Sequence, residues 1–342
     1  MYDVTIGIPV FRSKDYVRSA VLSALSQASP RIEILVVDDG GDDGSMAVIE
    51  ELQQTHPRGC HIRILTNLEN LGVSYSRNRI IDEAMGRYLY FMDSDDTIEP
   101  DTIRLLLETA EGYQAEVAYA SYDIVDLSDP QFKEVYQKDS QFLSGAGKLA
   151  EYALCNVGIF HVSVCNCLIN LAFLRQSAVR FIDTNYWEDM AFTYDLLPKV
   201  SRAVLLPDIT YHYLRHSGSL SHYQIRENLQ KEEVLMNVST INYLKKQCES
   251  YRGNSFLPYM CYNLELNSFY IVCHIMKHAR SISPTFKYRE MRDIIRYPLM
   301  LVDVLRFHSM LLQNLLFWLL GKLPVPLFAI SVRALGKLKR AI

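Results

Sequence analysis

This sequence of 342 residues lacks any apolar run long enough to span a bilayer. Met310 to Leu320 (MLLQNLLFWLL) is too short, and Lys322, Pro324 and Pro326 interrupt every extension of it. A surplus of positive charge is also missing: 35 Lys and Arg stand against 39 Asp and Glu, a net charge of -4. That balance argues against a nucleic-acid partner, which would select a basic surface. Cysteine is sparse and irregular, with seven residues at 60, 155, 165, 167, 248, 261 and 273. The expectation is reduced thiols in a cytosolic chain. Cys165 and Cys167 form a C-x-C, but no second pair stands at zinc spacing, so buried thiols are the default reading. No basic region or apolar signal core precedes the first strand-like segment, and secretion is not expected. Two glycine-rich motifs are absent. Where a dinucleotide-binding fold needs G-x-G-x-x-G after its first strand, this chain has IPVFRS, and no G-x-x-x-x-G-K-[ST] occurs anywhere. The 22 Tyr serve cores as readily as ligand sites and decide nothing alone.

What is present is alternation. Asp3 to Val10 (DVTIGIPV) reads as a strand stopped by proline, and Ser13 as the N-cap of a helix carrying Val17, Ala20, Val21, Ala24 and Leu25. Ile32 to Val37 and Ile62 to Thr66 read as strands, with helices over Met46 to Leu52 and Val73 to Met85. Leu89 to Met92 is a fourth strand, a helix starts near Pro100, and Glu116 to Ala120 is a further strand. Strands separated by helices predict a parallel, doubly wound sheet. From about residue 225 alternation stops and helical patterns continue to the end. The predicted division is a catalytic α/β domain over 1–225, in halves of about 1–100 and 101–225, and a helical region over 226–342.

In such sheets ligands bind beyond the carboxyl ends of the strands. The informative residues gather there: Pro9 and Phe11, Asp38 and Asp39, Asn67 and Asn70, and the FMDSDD stretch with Asp93, Asp95 and Asp96. Hard divalent cations take carboxylate oxygens, and Mg²⁺ or Mn²⁺ commonly adds substrate phosphates. On extended backbone Asp93 and Asp95 would point the same way. The alternative is a solvated turn in which Asp96 caps the next helix. An acidic pocket for phosphotransfer, using Asp38, Asp39 and Asp93, lacks a convincing downstream Lys.

Five stretches occur in order: TIGIPVFRSKDYV, ILVVDDGGDDGS, NLENLGVSYSRN, YLYFMDSDD and WEDMAF. Together they resemble a family-2 glycosyltransferase of the GT-A fold, the inverting enzymes that use nucleotide-diphospho-sugars, over roughly residues 1 to 220. The resemblance implies a mostly parallel Rossmann-like sheet and a bacterial polysaccharide-type enzyme. By the same resemblance Pro9, Val10 and Phe11 line the base and ribose pocket, and Asp39 bonds the base, most often uracil. Asn70 and Gly72 lie near the nucleotide, and Arg77 near the diphosphate. Asp93 is placed near the ribose or sugar with Ser94 beneath the ligand, and Asp95 on a Mn²⁺ or Mg²⁺ ion. Asp189, beside Glu188, matches the general base. Arg215, His216, Ser219 and Ser221 in YHYLRHSGSLS are implied diphosphate contacts. The partners implied are a UDP-sugar donor and a glycan or lipid-linked acceptor.

Each assignment has a plainer counterpart. Asp189 could be a helix N-terminal acid, Arg77 a surface residue, and Asp42 and Asp43 solvated turn residues. The chain reads DDGGDDGS where the family usually has DDGSxDxS, and Cys165 and Cys167 replace an aromatic and a Lys on the acceptor side. A catalytically inactive nucleotide-sugar-binding scaffold is the second reading of function. The tail beyond Asp303 holds six basic residues and no acid. With its Leu-rich run it suits either an anionic membrane surface or packing on the protein or on a second subunit as a homodimer. Localisation is expected to be cytoplasmic or peripheral on the inner face of the cytoplasmic membrane.

Overall fold

A computed structural model describes residues 2–29, 31–156, 163–184, 186–216 and 229–339. The chain divides into two compact units, one of residues 1–149 and 157–219, the other of residues 150–156 and 220–342. The second unit thus begins close to the boundary read from composition, but it also takes a short segment from the middle of the chain.

In the first unit, β1 (Tyr2–Val10), α1 (Val17–Leu25), β2 (Ile32–Asp38), α2 (Ser45–Thr55), β3 (Ile62–Thr66), α3 (Val73–Glu83) and β4 (Gly86–Phe91) alternate as the sequence predicts. There follow β5 (Thr97–Ile98), α4 (Thr102–Gly112), β6 (Val117–Asp126), β7 (Asp129–Tyr136) and β8 (Gln141–Ser144), then α5 (Lys148–Cys155), most of which belongs to the second unit, and back in the first unit β9 (Cys167–Asn170), α6 (Leu171–Ser177), α7 (Glu188–Leu196) and β10 (Arg202–Arg215). The sheet runs β3-β2-β1-β4-β9-β6-β10-β5, with β7 beside β6 and β8 beside β10. β1 pairs in parallel with both β2 and β4, and β2 with β3. These strands are near-continuous apolar runs because helices cover both faces, and Ile32, Ile34, Leu35, Val36 and Val37 are fully buried. The other half is mixed. β9 enters antiparallel between β4 and β6, while β6 and β10 run parallel. Close helix packing needs Gly7: a Cβ there would stand 2.4 Å from the Ile80 side chain of α3.

One cap differs from expectation. Helix α1 begins at Val17 with no side-chain cap, because Ser13 contributes its carbonyl, which accepts from Tyr16 N at 2.9 Å and Val17 N at 2.8 Å.

The second unit is helical, with β11 (Leu229–Gln230), α8 (Lys231–Gln247), α9 (Leu257–Lys277), β12 (Ile282–Ser283), α10 (Tyr288–Ile294), α11 (Leu301–Val304), α12 (Leu311–Lys322) and α13 (Val325–Leu338). Its centre is α9, against which α8, α10, α12 and α13 pack. The MLLQNLLFWLL run is split by helical period: Asn314, Phe317 and Leu320 are buried, whereas Leu312, Leu316 and Leu319 are exposed. Among the described residues no helix is long and apolar enough to cross a membrane. Across α8 and α9, Lys245 Nζ meets Glu265 Oε1 at 2.7 Å, with both side chains buried, and donates to the Ile294 carbonyl at 2.9 Å. Removing one partner of such a pair strands a charge, while replacing both with apolar groups does not. Glu265→Leu should therefore lower unfolding free energy by about 3 kcal/mol. Lys245→Met combined with Glu265→Leu should lose less than Glu265→Leu alone, as read by denaturant melts of the three variants.

Candidate active site

The parallel half brings the carboxyl ends of β1 to β4 to one edge. There Asp39 N donates to the Val10 carbonyl at 2.9 Å, and Asn67 N to the Asp38 carbonyl at 2.8 Å. Asp39 is buried, and its carboxylate accepts from Asn67 Nδ2 at 2.7 Å, Leu71 N at 3.1 Å and Gly72 N at 2.8 Å. It knots the loop after β3 to the loop after β2. Gly72 holds φ 88° and ψ 162° at the head of α3, a conformation that only glycine takes readily. Asn70 is exposed on the same loop. Pro9 and Val10 are buried in the sheet, and Phe11 emerges, 42% exposed, with the Arg12 guanidinium 5.2 Å from its ring centre.

FMDSDD does not continue the strand. The chain turns, with Asp96 N donating to the Asp93 carbonyl at 3.3 Å, so Asp93 and Asp95 are not neighbours on extended backbone. The turn sends each carboxylate to a different partner. Asp93 Oδ1 accepts from Arg77 at 2.8 Å, and Asp95 Oδ2 lies 2.9 Å from His216 Nε2. His216 stacks on Tyr16, with ring centres 4.0 Å apart. Ser94 is buried within the turn. Asp96 caps no helix; it is buried, accepting from Tyr211 Oη and from Leu214 N at 2.8 Å. Burial raises the pKa of Asp95, and the Asp93 charge raises it further against the pull of His216. Asp96 is shifted up well beyond its ordinary value by burial and by Asp95 and Asp93.

Asp189 reaches this turn from far along the chain because α3 grips the segment before α7. Asn78 exchanges two hydrogen bonds with the Phe181 backbone, at 2.8 and 2.9 Å, and Ser74 Oγ donates to the Thr184 carbonyl at 2.7 Å. Trp187 turns the chain at φ 61°, and Glu188 and Asp189 enter the first turn of α7. Arg77, almost wholly buried, then joins everything: Nη1 donates to Asp189 Oδ1 at 2.6 Å and Glu188 Oε1 at 2.9 Å, while Nη2 takes Asp93. Its guanidinium also sits 5.4 Å from the centre of the Phe181 ring. Burial would lower the Arg77 pKa, but Asp189, Asp93 and Glu188 outweigh it and keep it raised. Burial lifts Asp189 to about 7 despite Arg77, with Glu188 and Asp93 adding to the rise. The result is a carboxyl, 22% exposed, balanced between its two protonation states near neutral pH.

Of the residues singled out from sequence, Arg77, Asp93, Glu188 and Asp189 form one cluster. Arg215 stands apart on β10, its guanidinium 5.0 Å from the ring centre of Phe132. Ser219 and Ser221 lie outside the described residues. Asp43 is no solvated turn residue: it accepts from Lys14 N at 2.9 Å and from Ser45 N at 3.0 Å, fixing the start of α2. Tyr16 and Tyr211 also belong to the site; both lie in quoted stretches, TIGIPVFRSKDYV and YHYLRHSGSLS, but nothing in a sequence rich in Tyr marks them there as site residues. Among the described residues no group of three or more His, Cys, Asp or Glu side chains is arranged to hold a metal ion.

The site is an acidic cluster at the carboxyl edge of a parallel sheet, and comparison with known proteins gives the class. Residues 5–177 match the family Glycosyl transferase family 2, and the chain belongs to that family. Glycosyltransferase GlyA of Streptococcus pneumoniae is 33% identical over 230 residues, covering 64% of this chain and 31% of GlyA. The succinoglycan biosynthesis protein ExoO of Rhizobium meliloti is 28% identical over 64% of this chain and 62% of its own length. The chain thus spans less than two thirds of these relatives. The Escherichia coli protein WfaP, a UDP-Glc:alpha-D-GlcNAc-diphosphoundecaprenol beta-1,3-glucosyltransferase, is 26% identical over 73% of this chain and 97% of its own. A crystal structure of S. aureus TarS 1-349 in complex with UDP-GlcNAc superposes with TM-score 0.57 at 15% identity, covering 93% of this chain and 90% of that one. That likeness concerns the fold.

The raised pKa of Asp189 has a consequence for stability. A carboxyl whose folded pKa exceeds its unfolded value stabilises the fold below the unfolded value of 3.8 and loses that contribution as pH rises through about 7. Asp189→Asn should therefore be more stable than the native chain by about 2 kcal/mol at about pH 8. The two should converge at about pH 4, as measured by thermal melts across that range.

Proposed function

We propose that the chain transfers a sugar, with inversion, from a UDP-linked donor to a hydroxyl of a glycan or lipid-linked acceptor in bacterial cell-surface polysaccharide synthesis. The acceptor is met at the inner face of the cytoplasmic membrane. One observation carries the reading: a single guanidinium ties the acidic turn after β4 to a far carboxyl whose pKa is lifted to about 7. The donor and acceptor classes draw support from the activity that WfaP is named for and from the UDP-GlcNAc bound to TarS.

Asp189 is the general base, taking the proton of the attacking hydroxyl, and a pKa near ambient pH suits a group that must accept and then release it. Arg77 is a positioning residue that holds Asp189 and Asp93 in one arrangement. The Asp39 knot shapes the base-binding edge, with Phe11 at its rim. Asp95, with Asp93 near it, offers hard oxygen ligands, and a cation would offset the burial and the neighbouring Asp93 charge that lift the Asp95 pKa. These two residues would hold Mn²⁺ or Mg²⁺, which supplies charge neutralisation to a departing nucleoside diphosphate.

Thermal shift with Mn²⁺ and a panel of nucleotide sugars is the direct test. UDP-sugars should raise the melting temperature, and Asp95→Ala should abolish the metal-dependent part. Asp189→Asn should keep donor binding while reducing turnover by about 10²- to 10⁴-fold. Turnover of the native chain should rise with pH through about 7. No stabilisation and no hydrolysis with any donor would sink the proposal. Unchanged turnover in Asp189→Asn would favour the inactive-scaffold reading.

A further inference from the structure

The α12–α13 hairpin presents two faces. Phe317 and Leu320 of α12 and Phe328 and Val332 of α13 are buried, and both helices pack on α9. Their opposite sides therefore point away from α9. On those sides Leu312, Leu316, Leu319, Leu327, Ile330 and Leu338 repeat at helical spacing, each between 49% and 81% exposed. Six large aliphatic side chains at that exposure give the outer side of each helix an apolar stripe that the unit leaves uncovered.

The charge beside the stripes has one sign. Lys322 ends α12, with its ammonium 5.5 Å from the Trp318 ring centre, and Lys337 and Lys339 stand exposed at the end of α13. Asp303 and Glu249 both approach Arg252, at 3.4 and 3.8 Å. Lys322, Lys337 and Lys339 have no carboxylate paired to them among the described ion pairs. No acid follows Asp303 in the sequence.

We propose that this face docks on an anionic phospholipid bilayer, the aliphatic stripes entering the headgroup–acyl boundary and the exposed Lys322, Lys337 and Lys339 meeting lipid phosphates. Apolar burial and cationic flanks are the two contributions such interfacial helices combine. The inference rests on the reading above in one respect, that the acceptor is met at a membrane; the surface itself is argued from its own residues.

The test is sedimentation of the full chain with vesicles of pure phosphatidylcholine or of phosphatidylcholine mixed with phosphatidylglycerol, at low and high salt. The native chain should sediment only with the anionic vesicles, and salt should release it. Leu316→Glu with Ile330→Glu, and separately Lys322→Glu with Lys337→Glu, should each weaken binding by about tenfold or more. All four positions are at the surface, and melting temperatures confirm that the variants are folded. Absence of binding to anionic vesicles at low salt would overturn the proposal. So would a native dimer that Leu316→Glu with Ile330→Glu converts to monomer without any vesicle binding, since the face would then join two copies. Hydrolysis of a soluble UDP-sugar should be unchanged in these variants. Vesicle binding without any donor hydrolysis by the native chain would count against the transferase proposal alone.

Discussion

The cation of Arg77 is the constraint on which the site depends. Three carboxylates from two distant stretches of sequence converge on it: Asp93 after β4, and Glu188 and Asp189 opening α7. Without a cation they would repel across a few ångströms in a poorly hydrated setting, and desolvation would oppose bringing even one of them inside. Arg suits the position where Lys would not, because its planar fork delivers separate N–H groups to separate acceptors while its flat face rests near an aromatic ring. Phe181 supplies that ring, itself stacked on Phe192 of α7 with ring centres 4.2 Å apart. The same residue thus connects α3, the acidic turn and α7 through both polar and apolar contacts.

A second fixed point lies at the other end of the edge. Asp39 has no spare freedom: both oxygens are engaged by the loop that leads into α3. Since Arg77 stands on that helix, the knot at Asp39 also sets where the guanidinium emerges. Rigid placement of this kind is what preorganised sites require, as groups held by their own packing need no rearrangement when charge develops nearby.

Much of this was legible in sequence, for identifiable reasons. β1 to β4 are recognisable because parallel strands covered on both faces are uniformly apolar, and the residues after them stand out by contrast. The mixed half was not. β5 has two residues and β9 four, too few for periodicity to show, and β9 lies in VSVCNCLIN, where nothing signals the reversal of direction. Asp93 and Asp95 stand out by type, but not by direction, since extended backbone would align them and the turn closed by Asp96 N sends them apart. Arg77 was identified by motif alone; its burial against three acids needs α7 brought back to α3. Ser13 shows the limit of capping rules, since a carbonyl did what the hydroxyl was expected to do.

The placement of β6 between β9 and β10 bears on how the chain is made. β1 lies inside the sheet, and its partners β2 and β4 both follow it within the stretch that ends at Phe91. β6 is different. Val117 to Ser121 are buried, and the strand's long parallel neighbour is β10, ending at Arg215. Until that stretch has emerged, β6 presents an open, apolar edge of the sort that recruits other chains. A nascent chain is therefore most exposed to aggregation between the completion of β6 and that of β10, and fragments ending inside that interval inherit the hazard permanently.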